Sequence, residues 1–335
     1  VSIPISMGYA QIAGLPAVYG LYCSILPVLI YGLVTSSPQF VFGVDATPAA
    51  LVGGTLATLG IVSGSEEAKA VVPSITLVAA LWLLLFFFIK AGRIVNYIST
   101  PVMGGFISGI GVTIILMQAA KLFGGNAGTG EAIKLLMHIA GEMKSFNLLS
   151  AVLGVGTVII ILIAKKFIPK FPMSVLLMVL GALATAIFHI DRCGVKLLPH
   201  VDKGLPGFSL PDMSVVFKNP SEIILLGLSV AGVVMAQTLL ATNNYANKYG
   251  YKVSNNREIL SYAAANAASA VIGGCPLNGS VSRTGIADQF GCKSQVMSIT
   301  ASLTMLLIVL FGTPVLEYLP VPILTGIVVA ALIGI

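Results

Sequence analysis

Apolar residues in this chain come in long, nearly unbroken runs, without the strict alternation of a half-buried strand or the single stripe of a soluble helix. Measured against the ~20 apolar residues that cross a bilayer, the runs predict helical spans near 1–13, 16–36, 45–62, 71–91, 99–121, 148–166, 172–190, 221–241, 257–273, 280–290, 295–312 and 318–335. Two of them are unlike the rest. The runs starting at Asp45 and Ser280 each follow a Gly-containing, non-helical lead-in and read as half-length helices.

Composition strengthens the membrane reading. The chain is 57% hydrophobic and 9% charged, with a mean hydropathy of +1.00, whereas soluble domains carry about 25% charged residues. The 36 glycines and 17 prolines suit close helix contacts and interrupted helices, both tolerated in membrane bundles. Cys23, Cys193, Cys275 and Cys292 form no close-spaced pair, and His138, His189 and His200 lie far apart, so neither a disulfide framework nor a metal site is indicated. Enzyme signatures are missing too: there is no phosphate loop with Lys and no nucleophile elbow.

The net charge of +6 reads as a topology signal, with no nucleic-acid partner expected. If the first span runs outward, Lys90 and Arg93, then Lys165, Lys166 and Lys170, then Lys248, Lys252 and Arg257, then Lys293 share one side, which is expected to be cytoplasmic. Residue 1 already lies in an apolar segment and the chain stops inside another, so both ends are expected to be interior to a longer protein. Tyr97-Ile98-Ser99-Thr100-Pro101-Val102-Met103-Gly104-Gly105 echoes Tyr318-Leu319-Pro320-Val321-Pro322-Ile323-Leu324-Thr325-Gly326, and Ala10-Gln11 echoes Ala236-Gln237. Seven spans precede the central loop, so the second copy starts from the opposite face. The expected architecture is an all-α membrane protein with a 7+7 type inverted repeat whose last helices are missing. Residues 1–190 form the first repeat, 191–220 an extracytoplasmic linker and 221–335 the second, truncated repeat.

Several motifs are more specific. Gly14-Leu15-Pro16-Ala17-Val18-Tyr19-Gly20-Leu21-Tyr22 resembles the signature of the sulfate permease (SulP) family. Lys203-Gly204-Leu205-Pro206-Gly207-Phe208-Ser209-Leu210-Pro211 is similar to that family's link between halves. Asn256-Arg257-Glu258-Ile259, Gly273-Gly274-Cys275-Pro276, Gly279 and Ser282-Arg283-Thr284 follow in the family's order. The resemblance implies a secondary active transporter of a small inorganic or organic anion (sulfate, bicarbonate or dicarboxylate type), in a cell membrane of bacterial inner-membrane type. It also implies a homodimer in the lipid bilayer, coupling to protons or sodium, no cofactor, and a cytoplasmic regulatory domain related to anti-sigma-factor antagonists outside this chain. Two alternatives stay open: a nucleobase or other organic-substrate proton symporter of the same architecture, and an anion channel.

In inverted-repeat carriers the substrate lies near the midplane, where broken helices present unpaired amides and positive dipole ends. The first candidate is Asp45, Ala46 and Thr47, with Gly43 before them and Pro48 in the first helical turn. The second is Ser280, Val281, Ser282 and Arg283. Arg283 is costly in a membrane unless it faces a cavity or a partner. Its plain structural reading is an ion pair with Asp45 or Asp288. Asp45 reads either as a simple N-cap or as a proton-linked switch set by burial against Arg283.

Tyr9 keeps the aromatic place that the resemblance assigns to the first helix, although Pro4 is followed by Ile5 where the family carries Gln. Gln237 stands where many bacterial relatives carry a Glu, so the usual coupling acid is absent, and Asp45 and Gln237 are the coupling candidates.

Overall fold

The computed structural model describes residues 2–93, 100–126, 128, 132–168, 171–198, 204, 207–208, 210–218, 220–312 and 317–333. The helices and strands run in the order α1 (Ser2–Ile12), α2 (Val18–Tyr22), α3 (Leu26–Val34), β1 (Phe42–Val44), α4 (Ala46–Thr58), α5 (Glu66–Phe88), α6 (Thr100–Leu122), α7 (Ala132–Glu142), α8 (Leu148–Phe167), α9 (Met173–Phe188), α10 (Met213–Lys218), α11 (Pro220–Tyr249), α12 (Asn255–Val271), β2 (Leu277–Gly279), α13 (Val281–Gln289), α14 (Val296–Phe311) and α15 (Val321–Ile333). Residues 97–99 of the proposed repeat, and Lys203, Leu205, Pro206 and Ser209 of the linker motif, lie outside the described residues.

Local chemistry sets many of these boundaries. Ser65 caps α5 by accepting from the Ala68 amide at 3.1 Å, with Glu66 and Glu67 in the first turn where the helix dipole favours acids. Asn147 caps α8 through the Ser150 amide at 2.8 Å, and Lys165 and Lys166 complete its last turn. Helices α5, α8 and α11 are each long and apolar enough to cross a membrane. The span expected over 16–36 is two helices, α2 and α3, divided at Cys23–Ile25, with Pro27 in the first turn of α3. Proline has no amide to donate back into a preceding turn, so the continuous helix stops there. Residues 122–147, between the spans predicted at 99–121 and 148–166, also carry a helix, α7, and the linker carries α10.

The two short spans are half-helices as expected, α4 with 13 residues and α13 with 9. Their lead-ins are β1 and β2, which pair antiparallel with Phe42 opposite Gly279, Gly43 opposite Asn278 and Val44 opposite Leu277. An all-α reading omits this ladder, a short strand pair between residues far apart in the chain.

The helices pack in two groups. Helices α11 and α12 lie along α5, α12 and α14 along α3, and α11 along α4; separately, α15 packs on α6, α8 and α9. Contacts of α1 with α15 and of α4 with α6 join the groups. The strand pair lies in the larger one, between α3, α11 and α12.

Close approach of α1 and α4 depends on Gly53, where a Cβ would run into the Ile12 carbonyl oxygen; Gly54, its neighbour, has open space. Gly53→Ala is expected to lower stability by about 1–3 kcal/mol through overpacking. Gly54→Ala is expected to be neutral or stabilising by up to about 1 kcal/mol, since Ala is the better helix former. Thermal melts of the two purified variants, read side by side, check the pair.

Candidate functional site

The ladder gives the site its geometry. Helix α4 leaves from just beyond Val44 and α13 from just beyond Gly279, so the two helix starts lie at opposite ends of a ladder two residue steps long, about 7 Å. Both positive helix ends therefore converge on the same short stretch of backbone. The Ser280 amide donates to the Val41 carbonyl at 2.9 Å and the Val41 amide donates to Thr284 Oγ1 at 3.0 Å, which ties the start of α13 to the approach to β1.

Arg283 reaches back from α13 across the ladder. It is 6% exposed, and its Nη2 donates to the Val44 carbonyl at 2.6 Å. The same nitrogen lies 3.9 Å from Asp45 Oδ1, an ion pair at the edge of contact distance. Its guanidinium covers Gly43 so closely that a Cβ there would lie 2.9 Å from Nη1. Arg283 Nε has no hydrogen-bond partner among the described residues. The alternative partner, Asp288, is engaged elsewhere, by Lys248 Nζ at 2.9 Å and by the Tyr249 hydroxyl.

Asp45 occupies the cap position of α4, but its side chain makes no capping hydrogen bond. Asp45 thus holds the N-cap position without the usual side-chain bond into the first turn: its carboxylate lies near Arg283, with Ser280, the Ala46 backbone and Asn278 also beside it. Tyr9 on α1 is buried, and both Asp45 and Arg283 act on it electrostatically. Ala46, Thr47 and Ser280 are buried at the two helix starts, whereas Val281 is 42% exposed. Ser282 lies in the first turn of α13 with its side chain outside the described residues. A cavity of about 300 Å³ reaches Arg283, lined also by Ser2, Ser24, Val28, Phe42 and Met305.

Gln237 joins the site through a residue that pattern reading missed. Its Oε1 accepts from Asn278 Nδ2 at 2.8 Å, Asn278 Oδ1 accepts from the Thr238 hydroxyl at 2.6 Å, and the Thr238 oxygen accepts from the Gly279 amide at 3.0 Å. The polar side chain between Leu277 and Gly279 was the available signal for Asn278, a lone amide just before a half-helix in an apolar region. Among the described residues, no group of three or more His, Cys, Asp or Glu side chains could hold a metal ion.

Interrupted helices meeting at a short antiparallel pair inside a helical bundle, with a buried arginine closing the junction, define a helical membrane protein with a buried polar centre. Comparison with known proteins agrees. The family model described as "Sulfate permease family" matches residues 1–335, and the chain belongs to that family. Among curated relatives, a probable sulfate transporter of Mycobacterium tuberculosis (strain CDC 1551 / Oshkosh) is 26% identical over 330 residues, covering 98% of this chain and 58% of its own. The low affinity sulfate transporter 3 of Stylosanthes hamata is 29% identical over 355 residues, covering 99% and 54%.

The chain thus spans little more than half the length of these relatives. The transmembrane domain of a cyanobacterial bicarbonate transporter, BicA, superposes with a TM-score of 0.85 at 18% identity, covering all of this chain and 85% of that one. Murine Solute Carrier 26 family member A9, an anion transporter in its inward-facing state, superposes at 0.89 with 21% identity, covering 98% and 57%. At these identities the structural likeness shows the fold.

Asn278→Ala would leave Gln237 Oε1 and the Thr238 hydroxyl buried without their partner. The expected cost is about 1–3 kcal/mol per unsatisfied group, seen as a lower melting temperature. Gln237→Ala, which removes one acceptor and leaves the Thr238 bond to Asn278 in place, is expected to cost less in the same melt.

Proposed function

We propose that the chain is the membrane portion of a secondary active transporter for a small anion, bound where α4 and α13 begin. The observation that carries this reading is Arg283: a guanidinium buried against the ladder, with Nε unpartnered among the described residues and a cavity beside it. A buried charge is retained where it has work with a partner, and the carboxylate at 3.9 Å is too loosely placed to use the guanidinium fully. The names of the curated relatives favour sulfate, and the BicA likeness keeps bicarbonate among the candidates.

The expected division of the chain, with residues 1–190 and 221–335 as inverted halves around a linker at 191–220, is part of this proposal. So are the homodimer, the bacterial inner-membrane setting and coupling to protons or sodium. The rival nucleobase reading is weaker because the second half-helix brings a buried guanidinium, Arg283, to the centre, a group suited to an anion. Tracer uptake into proteoliposomes, comparing sulfate, bicarbonate, dicarboxylates and uracil with and without a proton gradient, distinguishes these substrates and separates coupled transport from channel flux.

In that assay Arg283→Ala is expected to abolish anion uptake, because each helix end supplies only about half a charge. Wild-type affinity and rate in Arg283→Ala would make the residue a helix tie and remove the proposed site.

Coupling is assigned to Asp45. An anion that enters the guanidinium's field competes with the Asp45 carboxylate for it, so anion binding and proton binding at Asp45 strengthen one another by the same factor. Gln237 has no titratable proton and takes a holding role through Asn278. Asp45→Asn is expected to retain measurable binding and lose its pH dependence. An unchanged pH profile with full gradient-driven accumulation would place coupling elsewhere.

A further inference from the structure

The motif Asn256-Arg257-Glu258-Ile259 plays no part in the site just described, yet it grips the segment that leads into it. Arg257, in the first turn of α12, donates through Nε to the carbonyl of Val34, the last residue of α3, at 2.7 Å. Glu258, fully buried, receives the donors that come next in the chain. The Thr35 hydroxyl lies 2.8 and 2.9 Å from its two oxygens, the Ser36 amide and hydroxyl lie at 2.6 and 2.7 Å, and the Ser37 amide lies at 3.0 Å. Ser36 Oγ also accepts from the Ser254 amide at 3.0 Å. Adjacent residues of opposite charge thus hold, in succession, a helix-end carbonyl and the amides and hydroxyls after it, a nest suited to an anionic group.

Glu258 extends its hold to β1 through aromatic rings. The Tyr31 and Tyr262 hydroxyls each lie 3.4 Å from Glu258 Oε2. Their rings stack on Phe42, Tyr31 at 4.7 Å and 16° and Tyr262 at 5.2 Å and 6°. Phe42 opens β1, immediately before Gly43, which Arg283 covers, and two residues before Val44, whose carbonyl Arg283 bonds. A continuous set of contacts therefore runs from the Glu258 carboxylate through two tyrosines and Phe42 to the backbone that seats the guanidinium.

We propose that Glu258 is a positioning residue for anion binding: it fixes the height of β1 and thereby the seat of Arg283. The proposal rests on the anion role assigned to Arg283. A residue that only staples α3 to α12 would affect stability and yield; one that seats Arg283 affects substrate affinity as well.

The test measures tracer uptake by reconstituted protein, normalised to folded transporter, with melting temperature in parallel. Glu258→Gln keeps the size but turns an N–H₂ group toward amide and hydroxyl donors. KM is expected to rise about tenfold, a step of about 1.4 kcal/mol, with the maximal rate per folded protein changed less than about twofold. Phe42→Leu removes the stack by an independent route and is expected to raise KM similarly. The double variant is expected to be no worse than the poorer single, the mark of residues acting in one unit.

Leu83→Ala, a buried residue of α5, is the stability control: a lower melting temperature with unchanged KM. Should Glu258→Gln fail to fold, Thr35→Val removes one donor to Glu258, together with the oxygen that accepts from the Ser37 amide at 3.0 Å, and is expected to raise KM about threefold. An unchanged KM in the folded Glu258 or Thr35 variant, alongside a lower melting temperature and an inactive Arg283→Ala, overturns this inference alone. An Arg283→Ala protein with wild-type uptake overturns both this inference and the anion site it serves.

Discussion

Irregular backbone inside a membrane must find hydrogen-bond partners within the protein, and residues 34–44 find theirs in the second half of the chain. The Val34 carbonyl is met by Arg257, the Ser36 and Ser37 amides by Glu258, and the Ser37 and Phe40 carbonyls by Gln295 Nε2 at 2.8 and 2.9 Å. The Val41 amide and carbonyl go to Thr284 and Ser280, and residues 42–44 pair with 277–279. In hydrocarbon each unmatched group would cost several kcal/mol. The break in the first half is therefore tolerated only because the second half completes it, and the half-helices and the proposed anion site follow from that exchange.

The exchange also explains how a polar centre is satisfied by the chain's own side chains. Asn278 spans Gln237 and Thr238, Asn266 Oδ1 accepts from the Leu277 amide at 2.8 Å, and Ser269 Oγ donates to the Cys275 carbonyl at 2.7 Å. These side chains satisfy β2 from behind, as Glu258 and Gln295 satisfy the approach to β1. Arg283 stands apart from them. Its Nη2 completes the Val44 carbonyl, while Nε has no described partner. Most of the described polar side chains at the centre hold the fold, and the proposed anion would be met by Arg283.

Much of the membrane architecture was legible in order along the chain. Long apolar runs need no particular partner to declare a span, so the spans that became α5, α8, α11 and α12 lie close to where hydropathy put them. The two half-helices were visible as well, since Gly43 and Gly279 precede short runs that start with Asp45 and Ser280. Arg283 was conspicuous because a charge in such a setting demands a reason. Interruption inside an apolar run was not legible: the division of 16–36 into α2 and α3 depends on Pro27 and on α14 packing across it, where the Ser302 hydroxyl bonds the Ile25 carbonyl at 2.7 Å.

The sequence alone determined that this is a membrane bundle with two broken helices and a buried cation, because hydropathy, glycine placement and charge cost are local properties. Only the tertiary structure decided which backbone completes which break. Pairing of Phe42–Val44 with Leu277–Gly279 joins segments of three residues, too short to declare a strand alone, and it holds because each supplies the other's missing hydrogen bonds. The same long-range matching brought Arg283 to Asp45 at the cap of α4, drew Asn278 and Thr238 in beside Gln237, and gave Glu258 its grip on residues 35–37. Those outcomes depend on distances between remote residues, which periodicity does not encode.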